Sequence, residues 1–151
     1  MQKLLCGSGC ALALLLASPA PAAESGPTFH ATLGAASEAA AEDGSLVLLI
    51  FGAEWCPPCK LLKETTLASS EFREQAGPLR VVESDVDADP ATARSFKVSA
   101  IPDLVLLTAD GKVVGRELGF KHTSDLLMWI NEGRRRAKAG EWEGTAPASG
   151  L

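Results

Sequence analysis

Leu46-Val47-Leu48-Leu49-Ile50-Phe51 runs without a polar residue into Gly52-Ala53-Glu54-Trp55-Cys56-Pro57-Pro58-Cys59-Lys60, and this stretch decides the fold. A continuous apolar run of strand length belongs to a strand covered on both faces. The two cysteines, with two residues between them, then open a segment carrying Leu61, Leu62, Leu67 and Phe72. That segment reads as a helix, stopped by Gly77-Pro78. A thiol pair in this position can be a redox couple, a metal clip or a structural staple.

Upstream, Phe29, Leu33, Ala36 and Ala40 recur at helical spacing, which predicts a helix over 29–42 and a turn at Asp43-Gly44. Downstream, Ser69-Ser70 interrupts the cysteine-bearing helix, with a restart at Glu71. Leu79 to Val86 is a second strand, and Asp89-Pro90 caps and starts a short helix to about Phe96. Leu104 to Thr108 and Lys112 to Leu118 flank Ala109-Asp110-Gly111, a hairpin signal. Thr123 or Ser124 caps a last helix through about Lys138, with Leu126, Leu127, Trp129 and Ile130 for its buried face. The first half is a βαβ unit with a right-handed crossover and a parallel pair. The hairpin adds an antiparallel pair, so the expected class is α/β, a mixed central sheet with helices on both faces.

The ends frame this domain. Lys3, the apolar run Leu4 to Ala17 and Ser18-Pro19-Ala20-Pro21-Ala22 form a secretory signal, cleaved after Ala22 or Ala23. The run falls short of the roughly 20 residues a membrane span needs. The expected organisation is a cleaved signal at 1–22, a domain at 23–138 and a flexible tail at 139–151. Cleavage removes Cys6, Cys10 and Lys3 and moves the net charge from −5 to −6, which argues against nucleic acid or an anionic membrane surface as partner. The remaining chain, about 128 residues, can bury a core without staples. Cys56 and Cys59 are then its whole cysteine complement, placed in an oxidising compartment, periplasmic or otherwise exported. Arg134-Arg135-Arg136 and Lys138 suit the negative end of the last helix and read as a solvated terminus.

Phe51 to Lys60 resembles the active-site segment of the thioredoxin superfamily, and Val98-Ser99-Ala100-Ile101-Pro102 resembles that family's cis-proline loop. Asp110-Gly111-Lys112 matches its hairpin turn and Gly119 its later glycine. The resemblance covers about residues 28 to 138, and Lys60 to Phe72 is closer to the thioredoxin-like domains of exported disulfide reductases. It implies a thioredoxin-like fold, a thiol:disulfide oxidoreductase, and a cis Pro102 set against the disulfide. Ile101 would then offer its backbone to an extended substrate, with Trp55, Pro57, Pro58, Glu54 and Lys60 lining or tuning the groove. Two positions depart from the pattern. Ile50 stands where the family often has a buried Asp that moves the second thiol's proton, leaving Glu54 or a water to substitute. Asp103 stands where threonine commonly follows the proline, and an acid beside the groove would tune partner choice.

The chemistry follows from the helix. Cys56 precedes it, so its sulfur lies near the first free N–H groups. A dipole interaction of roughly 0.3–1 kcal/mol, rising to about 2 in a partly buried site, against about 1.4 kcal/mol per pKa unit, lowers a thiol by about a unit. Cys56 is therefore the expected nucleophile, and Cys59, one turn in and expected to be more buried, resolves the mixed disulfide. Pro57 and Pro58 preset the first helical turn. No separate cofactor is required, because the Cys56–Cys59 couple carries the electrons. The expected partners are protein thiols and disulfides, with a membrane disulfide reductase as candidate electron donor and a monomeric chain. Two alternatives stay open. One is a binding module whose disulfide is only structural. The other is a metal site using His30 and His122, whose spacing is not that of a zinc finger.

Overall fold

The computed structural model describes residues 26–147. The expected signal at 1–22, with Cys6 and Cys10, lies outside the described residues, as do the last four positions of the expected tail. The elements are β1 (Pro27–His30), α1 (Leu33–Asp43), β2 (Leu46–Gly52), α2 (Pro57–Leu61), a π-helical turn (Leu62–Leu67) and α3 (Ser70–Gln75). They continue through β3 (Leu79–Asp85), α4 (Pro90–Ser95), β4 (Asp103–Leu107), β5 (Lys112–Leu118), α5 (Thr123–Ala139) and β6 (Gly144–Thr145).

One six-stranded sheet runs in the order β1-β3-β2-β4-β5-β6. β1 and β2 both pair with β3 in parallel, and β4, β5 and β6 add antiparallel partners. This is the mixed sheet with helices on both faces, the thioredoxin-like fold. β2 is central, so both of its faces are covered. Leu46, Leu48 and Ile50 pack with Leu62, Phe72, Leu126 and others on one side. Val47, Leu49 and Phe51 pack with Leu33, Phe96, Val105 and others on the other. Each fully buried aliphatic or aromatic side chain contributes roughly 1.5–3 kcal/mol, which is why this strand carries no polar residue.

Local chemistry sets the boundaries. Thr32 caps α1 by accepting from the Ala35 N–H, and Gly44, at φ 73°, ends it. Ser69 accepts from the Phe72 N–H and starts α3, so the interruption at Ser69-Ser70 is a cap. Asp89 caps α4 through the Thr92 N–H. α5 begins after His122, which makes no side-chain cap bond, rather than after Thr123 or Ser124.

Three expectations are corrected. The first helix starts at Leu33 and not at Phe29, because residues 27–30 give their backbone groups to the edge of β3. Phe29 is 49% exposed, while Leu33, Ala36 and Ala40 form the buried stripe. The segment after 139 is not simply a flexible tail. Its Glu143 N–H donates to the Val113 carbonyl, the Ala146 N–H donates to the Gly111 carbonyl, and Ala146 is buried. Trp142 holds the strand down, with the Lys112 ammonium 4.0 Å from the centroid of its ring. Finally, two of the α5 arginines, Arg134 and Arg136, are clamps, while Arg135 and Lys138 stay solvated as expected. Arg134 donates to the Ala76 and Pro78 carbonyls beyond α3, and Arg136 to the Val114 carbonyl and Glu143.

Candidate active site

Cys56 is the N-cap of α2, with an extended backbone at φ −92°, ψ 105°. Pro57 and Pro58 occupy the first two helical positions and carry no N–H, so the first free helical donor is that of Cys59. That N–H points at the Cys56 sulfur, 3.3 Å away. The two prolines thus concentrate the helix's N-terminal donor capacity on one bond to Cys56. The cysteines are joined as a disulfide, with Cα atoms 5.3 Å apart. The Cys56 N–H donates to the Ala53 carbonyl, closing the turn that carries Glu54 and Trp55 out to solvent.

The burial of the two cysteines reverses the expectation. Cys56 is 3% exposed, whereas Cys59 is half-buried. Cys59 rests against the end of β2, where a Cβ on Gly52 would stand 3.5 Å from its sulfur. Beside it opens a cleft of about 540 Å³, lined among others by Ile50, Gly52, Cys59, Lys63, Glu83 and Asp85. Spacing along α2 could not show this, because β3 supplies the cleft's far wall.

The second loop reaches the same end of the sheet. Asp103 is the Cα partner of Phe51, so Pro102 lies level with Gly52 at the start of the cysteine turn. The Ile101–Pro102 peptide is cis, Pro102 is buried, and its carbonyl accepts the Gly119 N–H at 2.7 Å. Ile101 packs its side chain partly into the second core face. Among the described residues its N–H and carbonyl make no hydrogen bond.

Asp103 does not face the groove. It is 0% exposed, and both carboxylate oxygens accept from Arg116 on β5. Those hydrogen bonds hold the guanidinium above its ordinary range, against the opposing effect of burial. The acid is therefore an anchor for the strand that begins directly after Pro102.

Of the other expected groove residues, Trp55, Pro57, Pro58, Glu54 and Lys60 are all exposed around the disulfide. Trp55 is 67% exposed, and its indole N–H donates to Asp87 at 2.6 Å. Asp87, Lys63, Glu83 and Arg116 escaped the sequence reading. The acidic run Asp85-Val86-Asp87-Ala88-Asp89 was the one visible hint of the first. His30 sits on β1 and His122 precedes α5, where its ring meets Phe120 edge-on. Among the described residues, no three or more His, Cys, Asp or Glu side chains gather as a metal site would require.

The Thioredoxin family's sequence model matches residues 29–132. The chain is similar to a thioredoxin of Chlamydia muridarum, 39% identical over 87 residues, which covers 58% of this chain and 81% of that protein. Among solved structures, a DsbH oxidoreductase superposes with a TM-score of 0.61 at 21% identity, covering 86% of this chain and 95% of that one. The C-terminal domain of Neisseria meningitidis DsbD in the oxidised form gives 0.58 at 24% identity, over 71% of this chain and 100% of that one. At these identities the structural likenesses speak to the fold.

Proposed function

The chain belongs to the thioredoxin family and is a thiol:disulfide oxidoreductase, and from that premise we propose that it is an exported reductase of protein disulfides. The observation that carries the reading is the Cys56–Cys59 disulfide at a helix N-terminus, level with the Pro102 loop. In the reduced enzyme, Cys56 attacks a substrate disulfide as thiolate, its charge favoured by the Cys59 N–H. One substrate thiolate leaves and takes a proton. Cys59 then loses its proton and attacks the Cys56 sulfur, closing the enzyme disulfide and releasing the second substrate thiolate. The substrate gains two electrons and two protons, and the enzyme dithiol is oxidised.

The free backbone groups of Ile101 support an extended substrate segment laid along the loop, over Trp55 and the two prolines. The direction rests on what lies between β3 and β4. There the chain carries only α4 and the proline loop, not the inserted helical domain of the dedicated disulfide-introducing enzymes. Export rests on the signal-like N-terminus. A membrane disulfide reductase is the proposed donor that returns electrons to the pair, and the enzyme works as a monomer.

The test combines turnover with trapping. The reduced protein reduces insulin disulfides, and Cys59→Ser accumulates a mixed disulfide through Cys56 whereas Cys56→Ser accumulates none. Trapping on Cys59 instead would reverse the assignment, and no insulin reduction at all would leave a structural staple.

A further inference from the structure

Closure of the disulfide requires Cys59 to lose a proton, and the β2 side chain nearest its cleft, Ile50, cannot take one. The neighbouring strand can. Glu83 is the Cα partner of Ile50 and Asp85 that of Gly52, so both carboxylates rise on the Cys59 side of the sheet. The charged groups lining the cleft with Cys59 are Glu54, Lys60, Lys63, Glu83 and Asp85. Their surroundings separate them. Asp85 commits one oxygen to the Asp87 and Ala88 N–H groups of the turn that follows β3. Glu54 and Glu83 are both exposed, but Glu54, on the turn before Cys56, has no hydrogen bond or ion pair among the described residues to position it. Glu83 is held by the Lys63 ammonium at 2.6 Å. Lys63 lies four residues beyond Cys59 on the same helical run, so the ion pair bridges the helix carrying Cys59 to the strand beneath it.

We propose that Glu83, positioned by Lys63, accepts the Cys59 proton through water in the cleft, a role moved one strand over from Ile50. The cleft's 540 Å³ far exceeds the space one water needs, roughly 30 Å³. At the mixed-disulfide stage the proton passes from the Cys59 thiol to the Glu83 carboxylate. The Cys59–Cys56 bond forms, the Cys56–substrate bond breaks, and the departing thiolate takes a proton from solvent, to which Glu83 returns its own. Before that bond forms, while the proton is on Glu83, the Lys63 ammonium in the same cleft is the counter-charge for the Cys59 thiolate.

This rests on the redox reading above, and one experiment separates the two. The reduced full chain is mixed with 5,5′-dithiobis(2-nitrobenzoate), whose first thiolate release reports Cys56 attack and whose second reports Cys59 closure. Glu83→Gln should leave the first release unchanged. It should slow the second by about tenfold near pH 6, a defect that closes near pH 9, where the thiol ionises unaided. Glu83→Asp should recover part of the rate. A second release that is unchanged near pH 6, slowed equally at every pH, or lost in Asp85→Asn rather than Glu83→Gln overturns the proposal. No first release overturns the redox reading and the proposal with it.

Discussion

Replacing Arg116 with methionine leaves the Asp103 carboxylate, 0% exposed, with neither of the hydrogen bonds it now accepts from Arg116. Removing one partner of a buried ion pair costs about 3–5 kcal/mol. The Arg116 side chain is 35% exposed, so water reaches part of the space it vacates, and the low end, about 3 kcal/mol, applies. For a domain of this size that is a fall in melting temperature of roughly 10 °C. In urea it is a fall in midpoint of about 1.5 M. The assay is urea unfolding of the oxidised protein near neutral pH, followed by circular dichroism. The cause is tested by a cycle with Asp103→Thr, which removes the carboxylate itself. On that background Arg116→Met should cost under about 1 kcal/mol, since no buried charge is left uncompensated. Because Asp103 follows Pro102 directly, Arg116→Met should also raise the KM for insulin more than it lowers kcat. A single substitution costing under about 1 kcal/mol, or an equal cost in both backgrounds, would refute the anchoring role.

Ile50→Asp places a carboxyl beside Cys59 and should speed enzyme-disulfide closure by several-fold to about tenfold, while making Glu83→Gln nearly silent. No change in rate would sink the view that Ile50 limits this step. Stability should also fall in acid. Burial alone would raise the Asp43 carboxyl, but hydrogen bonds from Ser45 and the Arg80 guanidinium more than offset it, so it lies below its usual value. Asp110 is lowered chiefly by Thr108 and then Lys112. A folded pKa below the unfolded value means that the unfolded chain takes up protons first as pH falls. The urea midpoint should therefore hold from pH 7 to about 5 and drop below about pH 4, and a midpoint that rises on acidification contradicts those pairings.

The fold was legible where one residue type answers to one physical demand. Leu46–Phe51 had to be central because it is apolar on both faces, Asp89 marked a helix start by its capping chemistry, and Asp43-Gly44 and Ser69-Ser70 marked breaks that are a C-cap and an N-cap in the structure. β1 was hidden because Phe29 falls in phase with the stripe of α1, and only pairing with β3 makes residues 27–30 extended. β6 was hidden because a two-residue strand has no period to read. In the site, the spacing of Cys56, Cys59 and Pro102 named the chemistry, but the partners on β3 and β5 depend on register. That Glu83 lies opposite Ile50, and that Arg116 reaches Asp103, follows from strand alignment that no local pattern encodes. The relative burial of the two cysteines misled for the same reason. It depends on a cleft whose far wall is another strand.

Whether Cys56 and Cys59 are a working redox couple is decided by equilibrium titration of the pair against a glutathione or dithiothreitol buffer. The pair should show a reversible two-electron transition near −270 mV, the range of a reducing thioredoxin. A pair that stays oxidised to below about −300 mV and exchanges with no substrate disulfide would contradict it and leave a structural staple.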